Sequence, residues 1–168
     1  EDIVWEAYST LPDITAVVKN GVEHVHPTLV EHLRTNTTPA ALFVRYAPDG
    51  LALFGKSGRL EFFEAKCSDT IERAAYETYM RYARNGCAVR LWFQDALGQI
   101  YHTRVEELKF LDSAAIVAEF PPEKQFPVVD GWITPRDTEY RPEKNMSGTP
   151  YRKVDFSKMK RYRTRGER

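Results

Sequence analysis

The alternation of apolar and polar positions divides the chain into short elements of mixed type. Ile3, Val4, Trp5, Tyr8 and Leu11 lie among helix-compatible polar residues until Pro12-Asp13 interrupts them, which predicts a short N-terminal helix. Thr15 to Gly21 reads as a strand or a helix end, and Pro27 to Leu33 as a helix with Pro27 in its first turn. From Ala41 the period shortens to two. Leu42, Val44 and Tyr46 predict a strand, Pro48-Asp49-Gly50 a turn, and Leu51 to Phe54 its continuation. Gly55 to Gly58 is the next turn and Leu60 to Lys66 the next strand, antiparallel to the one before.

The pattern then returns to a helical spacing. Ser68-Asp69-Thr70-Ile71-Glu72 reads as a capping segment, followed by Ile71, Ala75, Tyr79, Tyr82 and Ala83 on one face, with Asn85-Gly86 suited to a left-handed C-terminus. Cys87 to Phe93 is a strand of buried residue types; Leu97-Gly98 is a turn and Ile100 to Val105 a further strand. Strand, helix and strand with short links predict a parallel, right-handed crossover. Beyond Phe120, six of the ten prolines fall between Pro121 and Pro150, a density expected to exclude regular structure and to form an arm draped over the body. The divisions expected are a domain over 1–120, a Pro-rich extended arm over 121–150 and a basic tail over 151–168.

Composition supports a folded core: 42% hydrophobic and 29% charged residues in a chain of 168. A net charge of zero conceals an asymmetry. Residues 1–150 hold 16 Lys and Arg against 22 Asp and Glu, net −6, whereas residues 151–168 hold 8 against 2, net +6. Such a basic stretch suits phosphate contacts, because each neutralised phosphate releases counterions, although a solvated tail has the same composition. Lys158, Lys160, Arg161 and Arg163 are its candidate nucleic-acid contacts. Cys67 and Cys87 have no metal-ligand spacing and are expected as buried free thiols. His24, His26 and His32 form a loose cluster that lacks a suitably spaced fourth ligand. No apolar run approaches the length of a bilayer span, so a soluble intracellular protein, cytoplasmic or nucleoid-associated and with no membrane partner, is expected.

On a strand, Glu64 and Lys66 face one way while Phe63 and Ala65 face the other. Hydrolysis of a phosphodiester near neutral pH needs a cation that neutralises the phosphate and acidifies a water, and hard Mg²⁺ prefers oxygen ligands. Asp49 and Glu64 are candidate carboxylate ligands, with the Ala65 carbonyl as a third. Lys66 suits orientation of the attacking water or stabilisation of the transition state. Each motif alone is ordinary. An acidic residue two before a lysine arises by chance about once or twice in this length, and Glu107-Leu108-Lys109 is such a decoy.

Their order is more informative. Pro-Asp opening a strand, a turn, a strand ending in Glu-x-Lys, a helix, a glycine and a buried strand together resemble the PD-(D/E)xK nuclease superfamily across residues 42–93. The resemblance implies an α/β fold: a restriction-endonuclease-like mixed sheet of four or five strands flanked by helices, with the Pro-rich C-terminal arm appended. It also implies Asp49 and Glu64 as metal ligands, Lys66 as the catalytic lysine, Mg²⁺ as cofactor with Mn²⁺ as substitute, and 5′-phosphate products. Many members add an acidic residue from the preceding helix, which Glu31 matches loosely and Glu23 alternatively; a solvated charge is the competing account of either. The following helix has Glu72, Tyr76 and Tyr79 but no Gln, a departure from the RecB-like branch. Tyr76 is a candidate DNA contact or a packing residue, and Lys56 and Arg59 are backbone contacts or merely a polar hairpin tip. The expected activity is DNA endonucleolysis of the phage, transposon or junction-resolving type. DNA is the expected partner, with a homodimer and proteins held through the Pro-rich arm as further partners. The alternative is a non-catalytic nucleic-acid- or protein-binding module that uses the basic tail.

Overall fold

The computed structural model describes residues 2–20, 27–36, 38–135 and 149–163. The N-terminal helix α1 (Asp2–Ser9) leads into β1 (Ile14–Lys19), then α2 (Pro27–Thr35) and α3 (Pro39–Arg45). The hairpin β2 (Gly50–Phe54) and β3 (Arg59–Lys66) follows, then β4 (Thr70–Glu72), helix α4 (Arg73–Arg84), and strands β5 (Ala88–Gln94) and β6 (Ile100–Arg104). A short helix α5 (Ser113–Ala118) precedes β7 (Val128–Val129), β8 (Trp132–Ile133), β9 (Tyr151–Lys153) and β10 (Lys160–Arg161).

Six strands make the main sheet, in the order β1-β2-β3-β5-β6-β10, wider than the four or five expected. It is mixed: β3 and β5 run parallel, joined through β4 and α4, and every other neighbouring pair is antiparallel. Helices cover both faces. On one, Val4, Ala7 and Tyr8 of α1 pack against Ala52, Phe63 and Trp92. On the other, Ala75 and Tyr79 of α4 pack against Val89, Leu91 and Phe93. The period-two alternation of β3 and β5 is what permits both cores, since each strand sends successive side chains to opposite faces. The mixed α/β sheet flanked by helices is therefore the architecture the sequence predicts.

Three local expectations are corrected. Leu42, Val44 and Tyr46 are not a strand: the Thr38 hydroxyl accepts the Ala41 N–H and Pro39 starts a helix, so capping overrides an accidental alternation. Ser68 to Glu72 is not a capping segment. Thr70–Glu72 pairs with Tyr151–Lys153 as a strand, and Glu72, at the N-cap of α4, makes no side-chain cap bond. The third correction concerns the region beyond Phe120, where regular structure does form. β7 and β8 are a tight hairpin whose two turn residues, Asp130 and Gly131, both have positive φ (53° and 81°). Asp-Gly between apolar pairs is a strong hairpin signal, and it prevails here over the surrounding prolines.

The described part of the basic stretch, residues 151–163, is not free of the body either; residues 164–168 lie outside the described residues. β9 joins a second sheet of order β4-β9-β8-β7, and β10 pairs with β6 at the edge of the main sheet. Between them Val154 is buried and Phe156 packs at a tilt against Tyr101, 4.8 Å between ring centres. Cys67 is exposed and Cys87 half-buried, not two buried thiols. Among the described residues no helix is long and apolar enough to cross a membrane.

Candidate active site

The β2–β3 register pairs Gly50 with Phe63 and so brings Asp49 beside Glu64. The two residues bind each other's strand. The Asp49 N–H donates to Glu64 Oε2 (3.1 Å), and the Ala65 N–H donates to Asp49 Oδ2 (2.8 Å). Asn20, just past β1, holds the same corner from the other side: its N–H donates to the Asp49 carbonyl (2.8 Å) and its side-chain amide to the Pro48 carbonyl (3.3 Å). Gly50 is required by closeness rather than by its dihedral angles, because a Cβ there would lie 2.1 Å from the Phe63 ring.

Lys66 Nζ sits 2.5 Å from Glu64 Oε1. Burial alone would lower the Lys66 pKa, but the Glu64 carboxylate, with Asp49 and Glu72 beyond it, outweighs that and holds the ammonium above its ordinary value. Glu64 is 4% exposed and lies beside the buried Tyr79 of α4. Burial and then the Glu64 charge push the Tyr79 phenol well up, so it stays protonated.

These groups open into a cleft of about 300 Å³. Asp49, Arg45, Tyr46 and Ala47 form one wall from the α3–β2 connection, Glu64 and Lys66 the floor, and Ser68, Thr70 and Glu72 the opposite wall. Tyr46 spans the cleft, its hydroxyl donating to Glu72 Oε2 at 2.6 Å. Burial and Glu72 push the Tyr46 phenol well above its usual value, against the pull of Arg45. Arg45, Tyr46, Ser68 and Thr70 were not anticipated. They reach the site through α3 and β4, the two elements that the periodicity misassigned. Glu72 was visible in the sequence only as a helix-start residue.

The other anticipated residues lie elsewhere. Glu31 is exposed on α2 and does not line the cleft; Glu23, His24 and His26 fall outside the described residues. His32 is exposed, its Nε2 3.0 Å from Asn36 Nδ2. Lys56 and Arg59 occupy the far tip of the hairpin, Lys56 paired with Asp13 (3.0 Å) and Arg59 over the Phe54 ring (4.1 Å). At about 3.3 Å per residue, the five residues of β2 separate that tip from Asp49 by roughly 16 Å. Tyr76 packs between Phe110 and Trp132 (5.4 and 5.8 Å between ring centres). Lys160 and Arg161 are exposed on β10, and the cross-strand row Lys66, Phe93, Tyr101, Arg161 puts Arg161 on the same face as Lys66. Lys158 ends a short 3₁₀ turn before β10 and Arg163 follows it, both exposed. In the decoy Glu107-Leu108-Lys109, Leu108 is buried and the segment belongs to a 3₁₀ turn and its exit, not a strand.

The cleft is lined by oxygen and nitrogen donors without imidazole or thiol. Among the described residues no three His, Cys, Asp or Glu side chains form a metal-binding group. Asp49 and Glu64 still suit a hard cation, since Mg²⁺ is held by one or two carboxylates and completes its shell with water and substrate oxygens.

No known family model matches the chain, and no curated protein does. Among solved structures it is similar to Archaeoglobus fulgidus Hjc, a Holliday junction resolvase from an archaeal hyperthermophile. That likeness has 15% identity over 66% of this chain and 79% of the other, with a TM-score of 0.39. At these values it assigns neither fold nor activity to this protein.

Proposed function

We propose that the protein is a metal-dependent endonuclease that hydrolyses DNA phosphodiesters in the Asp49–Glu64–Lys66 cleft. The observation that carries this reading is the convergence of Asp49 with Glu64 and Lys66 at one end of a hairpin, linked by two reciprocal hydrogen bonds and an ion pair. Asp49 and Glu64 are the groups that would hold Mg²⁺ or Mn²⁺, with the Ala65 carbonyl as a further oxygen. Such an ion supplies charge neutralisation at the phosphate and lowers the pKa of a bound water. Lys66 is an ammonium whose positive charge offsets the charge that develops on the phosphorane-like transition state. The Asp49 N–H and the Lys66 ammonium hold the Glu64 carboxylate in place, so the site does not depend on solvent for its orientation.

Within this reading, a four-way junction, a nicked duplex and a linear duplex are the substrates to compare, and a homodimer is the assembly that a junction-resolving enzyme calls for. Purified protein with Mg²⁺ or Mn²⁺ is expected to cut at least one of them, leaving 5′-phosphates, and Asp49→Ala to cut none. Absence of cleavage on duplex, branched and single-stranded DNA alike would reject the reading.

One observation favours the second reading, a non-catalytic binding module: the carboxylates of Asp49 and Glu64 bind one another's strand and Lys66, as a structural cluster would. Lys66→Ala separates the two. Lost cleavage with DNA binding retained supports the enzyme, whereas a fall in thermal stability without any cleavage to lose supports the module.

A further inference from the structure

Arg45 ends α3, and its guanidinium lines the cleft beside Asp49, Glu64 and Lys66. One arm is tied back: Nη2 donates to the Asn36 carbonyl at 2.6 Å. The guanidinium Cζ lies over the Tyr46 ring, 5.6 Å from the ring centre. Nε is buried and has no hydrogen-bond partner. Asp49, Glu64 and Glu72 line the same cleft. Lys66, the other cation of the cleft, is directed at Glu64.

An arginine retains its charge and its donors at any working pH, and Nε, being buried, is not the atom a ligand reaches. The donors left to a ligand are at the end of the planar fork, Nη1 with the second N–H of Nη2, a pair that matches two oxygens of a phosphate. The wall Arg45 occupies is the connection that carries Asp49 into β2, so an anion held there lies next to the carboxylates instead of at a remote surface.

We infer that Arg45 is a phosphate-binding residue of the cleft: its guanidinium takes the oxygens of a backbone phosphate on the nucleic-acid strand that enters between the α3–β2 connection and β4. The Asn36 and Tyr46 contacts fix the plane of the fork in advance of binding. The choice of substrate rests on the nuclease reading above, but the capture of a phosphate does not.

The test uses the full chain and its Arg45→Ala and Arg45→Lys variants in two measurements. The first is the affinity for a short single-stranded oligonucleotide by fluorescence anisotropy in EDTA, where no metal chemistry operates. The second is KM and kcat for the best DNA substrate in Mg²⁺. Arg45→Ala is expected to weaken binding and raise KM by about ten- to a hundredfold, the loss of a charge-assisted bidentate contact, with kcat changed much less. Arg45→Lys is expected to recover part of the loss, since it keeps the charge without the fork; it also carries the test if Arg45→Ala does not fold. A residue that only braces α3 would lower melting temperature and leave KM alone. Wild-type cleavage with an unchanged KM and affinity in a folded Arg45 variant overturns the inference and leaves the nuclease reading intact. Oligonucleotide binding that depends on Arg45, with no cleavage by the wild type, supports the phosphate contact and removes the nuclease reading.

Discussion

Glu61 and Glu64 stand on the same strand, both almost fully buried, both against a cation, yet they face opposite sides of the sheet. Glu61 lies on the α1 side within a closed network. It accepts from the Tyr8 hydroxyl (2.7 Å) and from Arg90 through Nε and Nη2 (2.7 and 3.2 Å), while Arg90 Nη1 reaches His102 Nδ1 at 3.1 Å. Because arginine only donates, His102 Nδ1 is the acceptor and its proton sits on Nε2. Glu64, on the α4 side, has its lysine and its neighbouring carboxylate at the floor of an open cleft. The chemistry of the pairs is alike. What differs is whether space for a substrate adjoins them, and that is decided by what packs on each face.

The sharpest way to break the comparison is to neutralise each acid in turn. Glu64→Gln is expected to lower single-turnover DNA cleavage per folded molecule by about 10²- to 10³-fold, on top of a stability loss from leaving the half-buried Lys66 ammonium without its carboxylate. A large stability loss there, with no effect on rate, would make Glu64 a structural residue like Glu61. Glu61→Ala leaves the Arg90 guanidinium, whose side chain is 21% exposed, without its carboxylate. Removing one partner of such a pair costs about 3–5 kcal/mol, measurable by urea titration, with cleavage per folded molecule preserved. Full stability in this variant would show that the Arg90 network contributes nothing to the fold.

Gly50→Ala tests the corner that both acids depend on. The added methyl meets the Phe63 ring, and overpacking of this kind costs about 1–3 kcal/mol. Because Phe63 pairs with Gly50 next to Asp49, cleavage is expected to fall as well; a variant as stable and active as wild type would mean the ring moves aside freely.

The last test is a pH dependence carried by the Glu61 face. Burial, then Arg90 and Lys160, lower the His102 pKa from 6.5 to about 4. The unfolded chain therefore takes up the proton first, so stability is complete above about 6.5 and declines as pH falls towards 4. Burial alone would raise the Glu61 carboxyl, but Arg90 and Tyr8 hold it below 4.5; its contribution is likewise present above that value and lost on further acidification. Melting temperature is expected to drop between pH 6.5 and 4 in the wild type, and His102→Asn, which retains an acceptor for Arg90 but no titration in this range, to flatten that slope. An unchanged slope would rule out His102 as its source.

The sequence was most legible where structure is made locally. The β2–β3 hairpin, the α4 helix ending at Asn85-Gly86 (φ 85° at Gly86) and the parallel placement of β5 follow from period, turn chemistry and short links. α3 was missed although Thr38-Pro39 is a capping signal, because three alternating apolar residues after it imitate a strand. Arg45 and Tyr46 were lost from the site with it. Tyr76 illustrates the converse case: its helical position was evident, but whether it faced substrate or core depended on Phe110 and Trp132, far along the chain.

By itself, then, the sequence determined the identity and order of Asp49, Glu64 and Lys66 and the face that the last two share, because strand alternation is a property of adjacent residues. The tertiary structure decided the rest of the cleft. β4 exists as a strand because β9 pairs with it, an arrangement reinforced by the Lys153–Asp69 ion pair between residues 84 apart. It also settled which of two buried glutamates meets a cavity. No local period encodes such pairings, which depend on which distant segments can satisfy one another's backbone hydrogen bonds and apolar surface.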